Sequence, residues 1–210
     1  MSYFKYGEKE ITHLKNNDEL LKVAIDKIGM IEREINPNLF ESLIQQIIAQ
    51  QVSKQAALTV FERLKDKAVC FSSESLNQLS VVEIQSCGMT YKKAENIKKI
   101  TAMLSKGEFS LEALVNKTDE VIIEEMIKLP GIGKWSAEMF LIFSLARINV
   151  ISYDDLAIRK GMMKLYGLTA LSKQQFNEYK KNYEPYCSVA SLYFWYLAHN
   201  DLEEDLIAEN

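Results

Sequence analysis

The chain has 210 residues, 48% of them apolar, enough for one compact domain or two small lobes sharing a core. It holds no apolar run of the 18 or more residues that a bilayer span requires, and Met1-Ser2-Tyr3-Phe4-Lys5 lacks a signal-peptide core, so a cytoplasmic protein with no membrane partner is expected, associated with the nucleoid if bacterial. The formal net charge of −4 weighs against reliance on nonspecific phosphate attraction, but five acids and no base fall between Asp201 and Asn210, leaving the rest near neutral.

In chain order, the first break is Asn36-Pro37-Asn38: proline disfavours helix before it, and Asn38 is suited to cap a helix starting near Leu39. A lobe boundary is placed there. Apolar residues then recur at helical spacing: Phe40, Leu43, Ile44, Ile47, Ile48; Ala56, Ala57, Val60, Phe61, Leu64; Ala94, Ile97, Ile100, Met103, Leu104. Strand alternation is absent at any useful length. Ser80-Val81-Val82-Glu83 and Ser172-Lys173-Gln174-Gln175 match the capping box, in which cap and third residue satisfy each other's amides, and Gly88 suits the stop of the short helix after Ser80. The expectation is an all-α chain of about ten short helices. There is no linker, low-complexity segment or repeat.

Cys70, Cys87 and Cys187 are odd in number and widely spaced, so neither a disulfide framework nor a zinc ribbon is suggested, and they read as reduced core residues. His13 and His199 lie near opposite ends and read as structural or solvent-exposed, leaving little material for a histidine metal site or catalytic triad. No metal is expected.

The most unusual local sequence is Leu129-Pro130-Gly131-Ile132-Gly133-Lys134-Trp135, between the apolar-periodic segments Val121 to Ile127 and Trp135 to Leu145. Two glycines one residue apart permit positive φ and close approach of a partner, and the following helix opens with unpaired amides. A Walker loop needs glycine where Lys128 stands and Ser or Thr where Trp135 stands; a dinucleotide fingerprint needs glycine at Ser136 and a preceding strand. Both fail. What remains is a helix-hairpin-helix, gripping a DNA backbone through Gly131, Ile132, Gly133 and Lys134 largely by main-chain amides, or else an ordinary helix-helix turn. Main-chain binding needs little net positive charge.

About twenty residues further on, Asp154-Asp155-Leu156-Ala157-Ile158-Arg159-Lys160-Gly161 restarts a helix at an acidic pair. Asp154 is expected to cap that helix; Asp155 either complements the helix's positive end or, since one aspartate suffices for capping, is free for chemistry. A carboxylate there suits stabilising a cationic transition state or activating water.

Leu-Pro-Gly-Ile-Gly-Lys-Trp-Ser-Ala-Glu-Met, followed at this distance by Asp-Asp-Leu-Ala-Ile-Arg-Lys-Gly, resembles the helix-hairpin-helix DNA glycosylase superfamily, specifically its 3-methyladenine DNA glycosylase II branch. Phe40 to Ser53, Cys87 to Ala94 and Ser188 to Trp195 fit the same branch, so the likeness covers about residues 38 to 197. With only about 37 residues before it, the chain looks like a minimal form without the β-rich N-terminal domain of some longer relatives. The implied fold has two helical lobes with the active-site cleft between them: a central lobe, 38–146, containing the hairpin, and a second, 1–37 plus 147–210, formed by both ends.

By that resemblance Asp155 is the catalytic carboxylate. The implied activity is monofunctional excision of alkylated purines, of the 3-methyladenine and 7-methylguanine type, from double-stranded DNA by base flipping, by a monomer in base excision repair. Relatives that also nick the strand carry lysine two residues after the second hairpin glycine; here Trp135 stands there and Lys134 is turned by about 100°, so no lyase activity is implied. The iron-sulfur branch needs four clustered cysteines and only Cys187 lies in that half, so no cofactor is implied. Trp135 and Trp195 match aromatic positions around the flipped base, whose electron-rich faces attract a cationic purine. Met139 stands where a well-known relative has a pocket tyrosine, for which Tyr153 or Tyr193 could substitute. Gln51 matches the residue that fills the gap left by the flipped nucleotide. Lys92, Lys93, Arg159 and Lys160 are candidate phosphate contacts or solvated helix faces. The rival readings are a noncatalytic helix-hairpin-helix protein that binds DNA structures and a helical protein-interaction module.

Overall fold

The computed structural model of the protein describes residues 2–201; the acidic stretch after Asp201 lies outside the described residues. Among these are twelve α-helices, a 3₁₀ turn at Glu112–Leu114 and one two-stranded sheet, β1 (Ser2–Tyr3) antiparallel to β2 (Glu34–Ile35), pairing Ser2 with Ile35. The all-α expectation holds. The helices slightly exceed the ten or so expected; α5, little more than a turn long, adds one with a serine cap of its own.

Contacts divide the chain into two units, one taking in both ends, up to Ile35 and from Ala146, and the other running Asn36–Leu145. The second holds α3 (Leu39–Ala49), α4 (Lys54–Lys67), α5 (Ser73–Gln78), α6 (Val81–Gln85), α7 (Tyr91–Ser105), α8 (Asp119–Met126) and α9 (Lys134–Phe143). Side chains of Asn38, Ser53, Ser72, Ser80, Thr90 and Thr118 each accept the amide three residues on, satisfying a donor the helix cannot. Leu43, Ile44, Ile47 and Ile48 of α3 are fully or almost fully buried against α4, α7 and α9. The Ser42 and Ser144 hydroxyls pair at 2.5 Å between α3 and the end of α9. Gly88 adopts φ +111, but α6 has already stopped at Gln85; its amide bonds to the Gln85 carbonyl as part of the exit turn.

The other unit holds α1 (Glu8–Asn17), α2 (Glu19–Ile28), α10 (Leu156–Tyr166), α11 (Lys173–Tyr183) and α12 (Cys187–His199). Helix α12 is apolar around most of its circumference, as expected of a helix packed on all sides, and α10 lies directly on it. Gly161 allows this: a Cβ there would stand 2.0 Å from the Phe194 carbonyl oxygen. Asp18 caps α2 through the Leu21 amide at 2.8 Å and also accepts the Tyr166 hydroxyl, which is bonded to Tyr183 in turn. Burial is the largest influence raising both phenols above their ordinary range.

The cysteines do not all lie in the core. Cys87 and Cys187 are buried, with burial pushing the Cys187 thiol up to about 12, but Cys70 is exposed in the connection between α4 and α5. His13 bonds the Glu184 carbonyl at 2.7 Å and meets Tyr186 edge-on, while His199 bonds back to the Trp195 carbonyl.

Candidate nucleic-acid interface and active site

Helix α8 closes with the Leu129 amide on the Met126 carbonyl, and Ile132, 5% exposed, anchors the turn beneath. Gly131 sits at φ +80, and a Cβ there would lie 2.2 Å from Asn96 Nδ2, so both conformation and space require glycine. Gly133 corrects the expectation that both glycines exploit positive φ. It has φ −99 and ψ 176, any residue's extended backbone, and a Cβ would meet nothing within 4 Å. Its contribution is different: as N-cap of α9 it carries no side chain over the helix's opening amides. Lys134 is exposed, its ammonium 3.7 Å from Glu138 Oε1 one turn along.

Helix α3 ends at Ala49, and Gln51 follows in the left-handed region at φ +56, its side chain exposed. Gln50 Nε2 donates to the Gly131 carbonyl at 2.9 Å, joining this turn to the hairpin. Lys93 donates to the carbonyls of Ile48 at 2.8 Å and Gln50 at 2.5 Å. Of Lys92 and Lys93, expected to contact phosphate or to face solvent, only Lys92 is solvent-exposed; Lys93 is turned onto the C-terminal end of α3. A concavity of about 500 Å³ lies among these parts, bordered by Gln51, Lys92, Asn96, Gly133 and Trp135. Trp135 is 40% exposed, unusual for a ring of that size, while Met139 further along α9 is 5% exposed.

In the other unit, the connector before α10 is held by two serines of α12. Ser188 Oγ accepts the Val150 amide at 2.9 Å and donates to the Arg147 carbonyl at 2.7 Å; Ser191 Oγ donates to the Cys187 carbonyl of its own helix at 2.9 Å and stands 3.4 Å from the Val150 carbonyl. Asp155 follows, 7% exposed, with Oδ1 accepting the Ile158 amide at 2.9 Å. This reverses the division of labour expected for the acidic pair: Asp155 is the cap, and Asp154 is exposed one position outside it, because α10 begins at Leu156. The Ser152 hydroxyl is buried without a hydrogen-bond partner. The Tyr153 ring packs edge-on against Phe176 under the Arg159 guanidinium, 5.0 Å from the ring centre, and its hydroxyl donates to the Leu171 carbonyl. Trp195 is half-buried with Arg33 at 5.8 Å from its ring, and burial lowers the Arg33 pKa. Tyr193 is fully buried and donates to the Gly29 carbonyl at 2.9 Å, which makes it a core residue rather than a substitute for a pocket tyrosine.

Sequence reasoning passed over Gln50, Asn96, Ser188 and Ser191. The serines carried a signal, being two small polar residues three apart on an otherwise apolar helix. Among the described residues no three His, Cys, Asp or Glu side chains stand together as metal ligands, and no helix is long and apolar enough to cross a membrane.

The family model for HhH-GPD superfamily base excision DNA repair proteins matches residues 44–185. The DNA-3-methyladenine glycosylase 1 of Schizosaccharomyces pombe is 28% identical over 195 residues, covering 87% of this chain and 84% of that protein. The crystal structure of a DNA-3-methyladenine glycosidase from Bacillus halodurans superposes with a TM-score of 0.84 at 30% identity, covering 99% of this chain and all of that one. The Schizosaccharomyces pombe 3-methyladenine DNA glycosylase in complex with abasic DNA superposes at 0.79 with 28% identity, covering 90% and 95%.

Proposed function

Because the chain belongs to the HhH-GPD superfamily of base excision DNA repair proteins, we propose that it is a monofunctional DNA glycosylase for alkylated purines with Asp155 as its catalytic carboxylate. The observation that carries this reading is the seat of Asp155. The side chain is almost wholly withdrawn from water, and one oxygen is fixed by the Ile158 amide, so the carboxylate is oriented before substrate arrives.

The hairpin binds the DNA backbone through the amides at the start of α9, aided by Lys134 and Lys92, so an acidic chain needs no broad basic face. Gln51 enters the gap as the damaged nucleotide leaves the stack. The C1′–N bond breaks with its electron pair passing to the purine, and the sugar becomes an oxocarbenium ion. Asp155 stabilises that cation and orients the water that attacks C1′. An N-alkylated purine carries positive charge, so it leaves as a neutral base, and the faces of Trp135 and Trp195 favour it over an uncharged one. Met139, Tyr153 and Arg159 shape and support the surroundings of base and backbone. Trp135 stands where a lyase would need lysine, and the Lys134 ammonium is drawn towards Glu138, so no strand cleavage accompanies base release. The protein acts as a monomer in the cytoplasm, at the nucleoid in a bacterial cell.

Incubation with duplex DNA treated with a methylating agent tests the reading. Free 3-methyladenine or 7-methylguanine should appear with the strands intact until alkali cleaves the abasic sites. Salt-sensitive DNA binding without released base would instead indicate a noncatalytic binder.

A further inference from the structure

We propose that Lys93 and Gln50 are positioning residues that lock the Gln51 turn onto the hairpin, so that the group entering the DNA stack and the group gripping its backbone act as one body. This inference rests on the wedge role of Gln51 given above.

The last carbonyls of a helix have no partner within it. At the end of α3 those of Ile48 and Gln50 are taken by a single ammonium, that of Lys93, which lies 45 and 43 residues away in sequence. An ammonium is a strongly hydrated point charge, and turning it away from water onto two carbonyls is favourable where it faces the negative end of a helix. Partial burial by itself lowers the Lys93 pKa, a desolvation that the two carbonyls partly offset. The two carbonyls straddle the exit from α3, immediately before Gln51, which holds a left-handed backbone that L side chains rarely adopt. Such a conformation persists only where its surroundings impose it. Here Lys93 grips the turn from one side, and the Gln50 side chain ties it to the Gly131 carbonyl from the other.

Helix α7 is the common support. Thr90 caps it and accepts the Lys93 amide at 3.3 Å, fixing Lys93 in the first turn. Asn96, three residues later on the same helix face, is buried against Gly131. One face of one helix therefore holds both the wedge turn and the hairpin. A duplex that pulls on the hairpin meets a wedge that cannot yield, and the unstacking work falls on the DNA.

The test compares Lys93→Met, Lys93→Arg and Gln50→Ala with wild type in single-turnover excision of 7-methylguanine from two duplexes. In one the lesion is paired with cytosine; in the other it faces an abasic site and has no pair to break. Lys93→Met should lower the rate on the paired duplex by about tenfold or more and on the unpaired duplex by no more than about twofold. Lys93→Arg, which keeps donors for both carbonyls, should recover most of the loss. Gln50→Ala, at a partly exposed position, should show the same selective loss even if Lys93→Met fails to fold. Equal losses on both duplexes, or no loss on either, would overturn the inference. A wild type that releases no base from either duplex would instead overturn the glycosylase reading, and this inference with it.

Discussion

Asp155 Oδ1 accepts the Ile158 amide at 2.9 Å, so the carboxylate proposed to face the sugar is also the N-cap of α10. Two roles on one side chain can be separated, because asparagine caps a helix about as well as aspartate while carrying no charge. Asp155→Asn should melt within a degree or two of wild type. Asp155→Ala should lose about 1 kcal/mol, a fall of about 2–4 °C in a domain of this size, when followed by far-ultraviolet circular dichroism. Equal melting of the two variants would show that the cap contributes nothing.

The hairpin glycines should respond differently to alanine. Gly131→Ala meets both a left-handed backbone and the buried Asn96 amide, so it should cost about 2 kcal/mol or more in denaturant melts of the free protein. At Gly133 the backbone is ordinary and the space open, so alanine should cost less than about 1 kcal/mol while weakening duplex binding, because a methyl group then stands where DNA approaches the α9 amides. Retained affinity in a well-folded Gly133→Ala would count against the hairpin as the grip.

How much of this could be read beforehand depended on how local the physics is. The capping boxes at Ser80 and Ser172 and the cap at Asn38 are decided within four residues, and all three stand as expected. The hairpin was legible because its spacing excludes two competing loops and because Asp154-Asp155 follows it at a distance that resembles a known family. The roles within Asp154-Asp155 were not, because a one-residue difference in helix start decides which carboxyl becomes the cap. Lys93 looked like its neighbour Lys92; only the fold brings the end of α3 beneath it. Cys70 resembled a core residue by type and proved exposed because it falls in the connection between α4 and α5, where its neighbour Phe71 is the residue turned onto Phe40 and Phe61.

Trp135 leaves 40% of its surface open in the free protein, so truncation there should disturb function more than folding. A cation over an aromatic face gains about 0.5–2 kcal/mol, so Trp135→Ala should lower excision of cationic 7-methylguanine by about 2- to 30-fold relative to a neutral substrate such as hypoxanthine. Parallel losses on both bases would show that the ring packs without discriminating charge.

Binding that relies on main-chain amides should be only moderately sensitive to salt. With Lys92, Lys134, Arg159 and Lys160 as the side-chain phosphate contacts, log affinity against log salt should fall with a slope no steeper than about −3.6. Fluorescence anisotropy on a short duplex measures it, and a slope near −8 would reveal a basic surface outside these residues.

The most direct measurement is single-turnover release of 7-methylguanine by Asp155→Asn, alongside its affinity for abasic duplex. The account predicts affinity within about threefold of wild type and a rate at least about 10³-fold lower, because the cap survives while the charge facing the oxocarbenium ion is gone. A variant that binds and excises at close to the wild-type rate would contradict it.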